Sequence, residues 1–120
     1  MTHAEFNRFC KALPASTYVM QWGGSHVWKV GGKVFAIGVD VGGNPAFTFK
    51  TGDIAFRILA EQPGLRPAPY LASRGLKWIQ HYAAPGLTDR ELKEYLRHSY
   101  RSVVIGLPRK TRVQLQLTNT

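Results

Sequence analysis

The chain has 120 residues, 44% hydrophobic and 19% charged, enough apolar material for one packed domain of the commonest size. Sixteen Lys/Arg against seven Asp/Glu give a net charge of +9, a surplus that attracts polyanions and disfavours a carboxylate-built site for calcium or iron. No apolar run approaches the ~18 residues of a membrane span, the first residues carry no signal-peptide core, and the single Cys10 cannot close an internal disulfide, so a cytoplasmic protein is expected.

Thr2-His3-Ala4-Glu5 is a capping box, a hydroxyl at the N-cap with a carboxylate three residues on. Phe6, Phe9, Cys10 and Leu13 follow at helical spacing, and Pro14 ends that helix. Cys10 lies on the apolar stripe and reads as a small core residue, not a nucleophile. From Ser16 to Lys50 the period changes to two. Gly31-Gly32 between β-rich runs signals a tight hairpin. A two-residue loop pairs Val30 with Lys33 and Trp28 with Phe35. That register puts Trp28, Val30, Phe35, Ile37 and Val39 on the core face, and Val27, Lys29, Val34, Ala36 and Gly38 on the other. Gly42-Gly43 makes a second turn, after which Phe47 and Phe49 point inward and Thr48 and Lys50 outward.

Asp53 is an N-cap candidate for a short helix over 54–61, with Ile58 and Leu59 inward. Pro67 and Pro69 confine residues 65–69 to a sheet edge, and a strand follows over 76–82. Thr88-Asp89-Arg90-Glu91 is a second capping box, opening the longest helix, 88–107, with Leu92, Leu96, Ser99, Val103 and Leu107 on one stripe. Lys93, Arg97 and Arg101 recur every four residues on its outer side. Residues 1–108 form the domain, and 109–120 a basic, flexible tail. The element order predicts an α+β fold: a two-layer sandwich with an antiparallel sheet of five to six strands and helices on one face. Lys29, Thr48 and Lys50 would then lie on the uncovered face.

Residues 64–82 interleave cations with aromatics: Arg66, Tyr70, Arg74, Lys77, Trp78, His81 and Tyr82. Cations beside flat rings suit phosphates and bases. Gly31-Gly32-Lys33 is not a phosphate loop, because Val27 and Val34 stand where that motif needs Gly and Ser/Thr. His3, His26, His81 and His98 lack metal-ligand spacing, so no metal and no cofactor are expected. No nucleophile–base motif such as G-x-S-x-G is present, so the chain is read as a binding module and not as an enzyme.

Trp22-Gly23, Val30-Gly31-Gly32-Lys33-Val34-Phe35-Ala36, Phe49-Lys50, Arg66-Pro67-Ala68-Pro69-Tyr70, Lys77-Trp78, Ser99-Tyr100 and Leu107-Pro108 fall in an order that resembles the MmcQ/YjbR family. Thr51 and Ser73-Arg74-Gly75-Leu76 are less typical of it. The resemblance implies a frataxin-like (CyaY-like) sandwich and a double-wing DNA-binding role, the wings being the two glycine hairpins. Lys29, Lys33, Lys50, Arg66, Arg74, Lys77 and Trp78 are then the candidate nucleic-acid contacts. The alternative is a module for an acidic protein or a small anionic ligand, held in a pocket between Tyr70, Trp78 and Lys50. DNA is the expected partner, and neither a membrane nor a metal is.

Overall fold

The computed structural model describes residues 1–69, 71 and 74–117. The elements run α1 (His3–Lys11), β1 (Ser16–Gln21), β2 (Ser25–Val30), β3 (Lys33–Val41), β4 (Asn44–Lys50), α2 (Asp53–Ala60), β5 (Leu65–Pro67), β6 (Trp78–His81), α3 (Asp89–Gly106) and α4 (Arg109–Gln114). The strands form one antiparallel sheet in the order β1-β2-β3-β4-β6-β5. Pro67 sits on the edge strand β5, where its missing N–H costs no ladder bond. Phe6 and Cys10 of α1, Leu59 of α2, and Leu92 and Leu96 of α3 close one core with Phe35, Phe47, Phe49 and Ile79 of the sheet. The fold is the two-layer α+β sandwich that the residue pattern predicts.

Local chemistry sets the helix starts. Thr2 Oγ1 accepts from the Glu5 amide at 3.1 Å, and Glu5 Oε1 accepts from the Thr2 amide at 3.1 Å. Thr88 and Glu91 repeat the exchange at α3. Each pair satisfies two amides that the first helical turn cannot. At α2 the N-cap is Gly52, and Asp53 belongs to the first turn. Ile58 is exposed, contrary to the expected stripe; Phe56 and Ala60 pack on the core beside Leu59 instead. Ala55, Phe56, Leu59 and Ala60 share one side of the helix, and Ile54 and Ile58, four residues apart, share the exposed one.

The sheet corrects the predicted faces of β3. Lys29 pairs with Val34, but Trp28 pairs with Ala36 and not with Phe35, because a β-bulge falls between Trp28 and Lys29. One extra residue inverts the alternation beyond it. Ala36 and Gly38 therefore face the helices and are buried, while Ile37 and Val39 turn to the helix-free side and are half-buried. That side is not open at its centre. Val27 is fully buried and Thr48 is 4% exposed. The chain after β5 crosses this face, so that Ala68, Pro69, Leu71 and Arg74 line one cavity with Ile37, Val39 and Thr48.

After Pro108, where a flexible tail is expected, the chain forms α4, and Leu117 returns to the core at 2% exposure. Apolar side chains at Leu115 and Leu117 supply the burial that holds it. Residues 118–120 lie outside the described residues.

A Cβ on Gly38 would stand 2.9 Å from the Phe6 ring. Gly38→Val should therefore destabilise the protein by about 1–3 kcal/mol, read by urea denaturation. The unbulged register, with Gly38 facing solvent, expects no such loss.

Candidate nucleic-acid interface

Lys29 pairs with Val34 across the first hairpin, and Lys50 at the end of β4 pairs with Trp78 of β6. Alternation places Lys29 with Val27 on the helix-free face, whereas Lys50, at the end of β4, lines recesses beside Ala55 of α2 and Tyr95 and Ser102 of α3, contrary to the uncovered face expected for it. Lys33 opens β3 at the tip of the hairpin, opposite Val30. Lys33, Val34, Lys50 and Trp78 line one recess of about 350 Å³, joined by Ser102 and Val103 of α3. Two of the candidate lysines, Lys33 and Lys50, thus meet at one end of the sheet beside a half-buried indole, and Lys29 stands one strand pair away, opposite Val34.

The other candidates are not brought there. Arg66 donates from Nε to Gln80 Oε1 at 2.8 Å, and its guanidinium lies 4.4 Å from the Tyr82 ring centroid. Lys77 turns to α2, with its ammonium 5.0 Å from the centroid of Phe56. Arg74 lines the separate cavity over Ile37 and Val39. Tyr70, named for a pocket with Trp78 and Lys50, lies outside the described residues. The interleaved stretch 64–82 is therefore not one surface. Its alternate residues serve the sheet, an aromatic stack and α2.

Charge is distributed unequally. Glu5, Asp53, Asp89, Glu91 and Glu94 lie in helices, and Glu61 caps α2. Asp40 is the one carboxylate of the sheet, and its Oδ1 bonds His3 Nε2 at 2.8 Å. Among the described residues the two ion pairs are Met1 ammonium–Asp89 and His3–Asp40, and neither contains a lysine or arginine. Among the described residues, the cations of the sheet and its connections, Lys29, Lys33, Lys50, Arg66, Arg74 and Lys77, are left without carboxylate partners.

Two further basic features escape a reading of the sequence. Arg8 and Lys11 line a groove of about 530 Å³ between α1 and β1, floored by Tyr18 and Trp28. Their three-residue spacing is legible, but the edge strand beside them is not. Arg97 stacks on Phe9 at 5.3 Å, which brings the basic row of α3 against α1. Cys10 is fully buried, and desolvation pushes its thiol far above its ordinary value, so it is not a nucleophile. Among the described residues no group of three His, Cys, Asp or Glu is placed to hold a metal ion, and no helix is long and apolar enough to cross a membrane.

A family model described as YjbR matches residues 11–102. The crystal structure of a Deinococcus radiodurans protein with a DUF419 domain superposes with a TM-score of 0.84 at 21% identity, over 99% of this chain and 91% of that one. A Pseudomonas syringae protein superposes with a TM-score of 0.69 at 17% identity, over 85% of this chain and 98% of that one. At these identities the likeness is one of fold. No curated protein matches the chain.

Two histidines beside these elements carry a pH dependence. His81 is held below the ordinary histidine range mainly by burial and then by the amino terminus, with Asp89 opposing. His26 is lowered by desolvation and then by His3, with Asp40 opposing. Their folded-state values lie below the unfolded ones, so the fold binds fewer protons. Stability is then full above the unfolded value of about 6.5 and is lost as pH falls through the folded values. The melting temperature should be lower at about pH 5 than at about pH 7.5, and His81→Phe should narrow the gap.

Proposed function

We propose that this chain, which belongs to the YjbR family, is a small DNA-binding module that grips phosphates with Lys29, Lys33 and Lys50. One observation carries the reading. The sheet and its connections hold six Lys/Arg against one carboxylate, and that carboxylate is already bonded to His3. Of these six, Lys33 and Lys50 share one recess, and unpaired cations that close raise the local potential and release condensed counterions when they meet a polyphosphate. Lys33 reaches from a hairpin tip, as a wing would, while Lys29 and Lys50 stand on neighbouring strands. Trp78 beside Lys50 offers a flat face to a sugar or an unpaired base.

The arrangement favours contacts to the backbone over readout of sequence. Lysine is a point charge without the planar fork that recognises guanine edges, and no helix presents Asn, Gln and Arg together at its start. Binding should therefore vary little between duplexes of different sequence and weaken with salt.

Fluorescence anisotropy with a labelled duplex tests this. Replacing Lys29, Lys33 and Lys50 by Ala should reduce the slope of log K against log salt by about 2.7, at roughly 0.9 per phosphate contact, with the melting temperature unchanged. A native affinity indifferent to salt, or a slope that survives the triple substitution, contradicts the proposal.

A further inference from the structure

We propose that the cavity on the helix-free side of the sheet is a binding site for a small aromatic carboxylate, separate from the lysine cluster. The cavity holds about 600 Å³, within the roughly 300–1,000 Å³ usual for small-molecule sites. The bulge in β3 creates its floor, because the inverted alternation turns Ile37 and Val39 to this face. Pro69 and Leu71 form the opposite wall. Two apolar walls make a slot suited to a flat ring.

Three polar or aromatic groups point to a ligand. Trp22 lines the cavity and is 65% exposed, an unusual position for an indole on a folded surface. Its backbone is held at φ 49°, in a left-handed conformation that a bulky residue avoids. The Ser25 hydroxyl donates to the Trp22 carbonyl at 3.4 Å, which ties the backbone of this turn to the start of β2. Thr48 lines the same cavity at 4% exposure, and its hydroxyl has no hydrogen-bond partner among the described residues. The hydroxyl is not sealed off: it does not belong to the fully buried polar atoms that lack a partner among the described residues, so it is accessible from the cavity it lines. A polar atom of a ligand entering the cavity would take the place of water at that hydroxyl.

Arg74 supplies the charge. Its guanidinium is exposed, lines the cavity and has no carboxylate partner among the described residues. A guanidinium binds a carboxylate through two parallel hydrogen bonds. The ligand thus has a flat apolar body against Ile37, Val39 and Trp22, a polar atom near Thr48, and a carboxylate on Arg74. No residue of this site belongs to the Lys29, Lys33 and Lys50 cluster, so the two proposals fail independently.

Naphthoate and its neutral counterpart naphthylmethanol are the probes, titrated into isotope-labelled protein and followed by NMR. Naphthoate should give saturable shifts at the Trp22 indole N–H and at Thr48, and naphthylmethanol should bind about tenfold more weakly, the worth of a charge-assisted pair. Arg74→Gln should abolish that preference. Thr48→Val, which keeps the shape, should weaken both ligands without lowering the melting temperature. The triple lysine variant should bind naphthoate as the native protein does. Absence of saturable shifts at Trp22, native preference in Arg74→Gln, or full affinity in Thr48→Val each overturns the proposal.

Discussion

One buried hydroxyl joins the two layers at the point where the ladder between β3 and β4 opens. Ser99 of α3 is fully buried. Its Oγ donates to the Phe35 carbonyl at 2.6 Å and accepts from the Lys50 amide at 2.9 Å. The last strand-to-strand pair is Ala36 with Phe49, so the serine takes the place of the next rung. The bulged Phe35 cannot pair with β4 in the usual way, and a buried backbone group without a partner costs about 1–3 kcal/mol. A side chain from the other layer removes that cost and fixes α3 on the sheet. Phe35 then meets Tyr100 edge-on at 5.3 Å, and Phe49 stacks on Tyr95 at 5.4 Å.

The same bulge determines what each face of the sheet offers. Toward the helices it presents Ala36 and Gly38, small enough for Phe6 to lie over Gly38. Away from them it presents Ile37 and Val39, which floor the cavity with Trp22 and Arg74. At the open end, where Ser99 stands in for a rung, Lys33 and Lys50 share a recess with Trp78. A structural irregularity in β3 thus sets up both the cationic end and the apolar slot. The overall frame is shared with a Deinococcus radiodurans protein at 21% identity and a TM-score of 0.84, as expected when packing pattern, more than residue identity, specifies a fold.

What was legible in the residues is what local chemistry decides. Both capping boxes form as written, because Thr2 with Glu5 and Thr88 with Glu91 act within one turn. The glycine turns at 31–32 and 42–43 adopt positive φ throughout, which few other residues tolerate. Phe47 and Phe49 point inward as their alternation requires. The face of β3 beyond Phe35 was not legible, since a bulge is a property of two strands and a helix, not of one segment. Arg66 and Lys77 illustrate a second limit. A run rich in cations and rings looks like a surface, yet Arg66 is occupied by Gln80 and Tyr82, and Lys77 by Phe56. The slot joining Trp22 to Arg74 depends on the chain recrossing the sheet after β5, and no local signal announces that path.

Ser99 serves as the missing rung between β3 and β4. Amide hydrogen exchange of Ser99→Ala against the native protein tests it most directly. Protection of the Lys50 amide should fall by about tenfold or more, as losing a bond worth roughly 1.4 kcal/mol implies. Native protection at Lys50 in the alanine variant would contradict it.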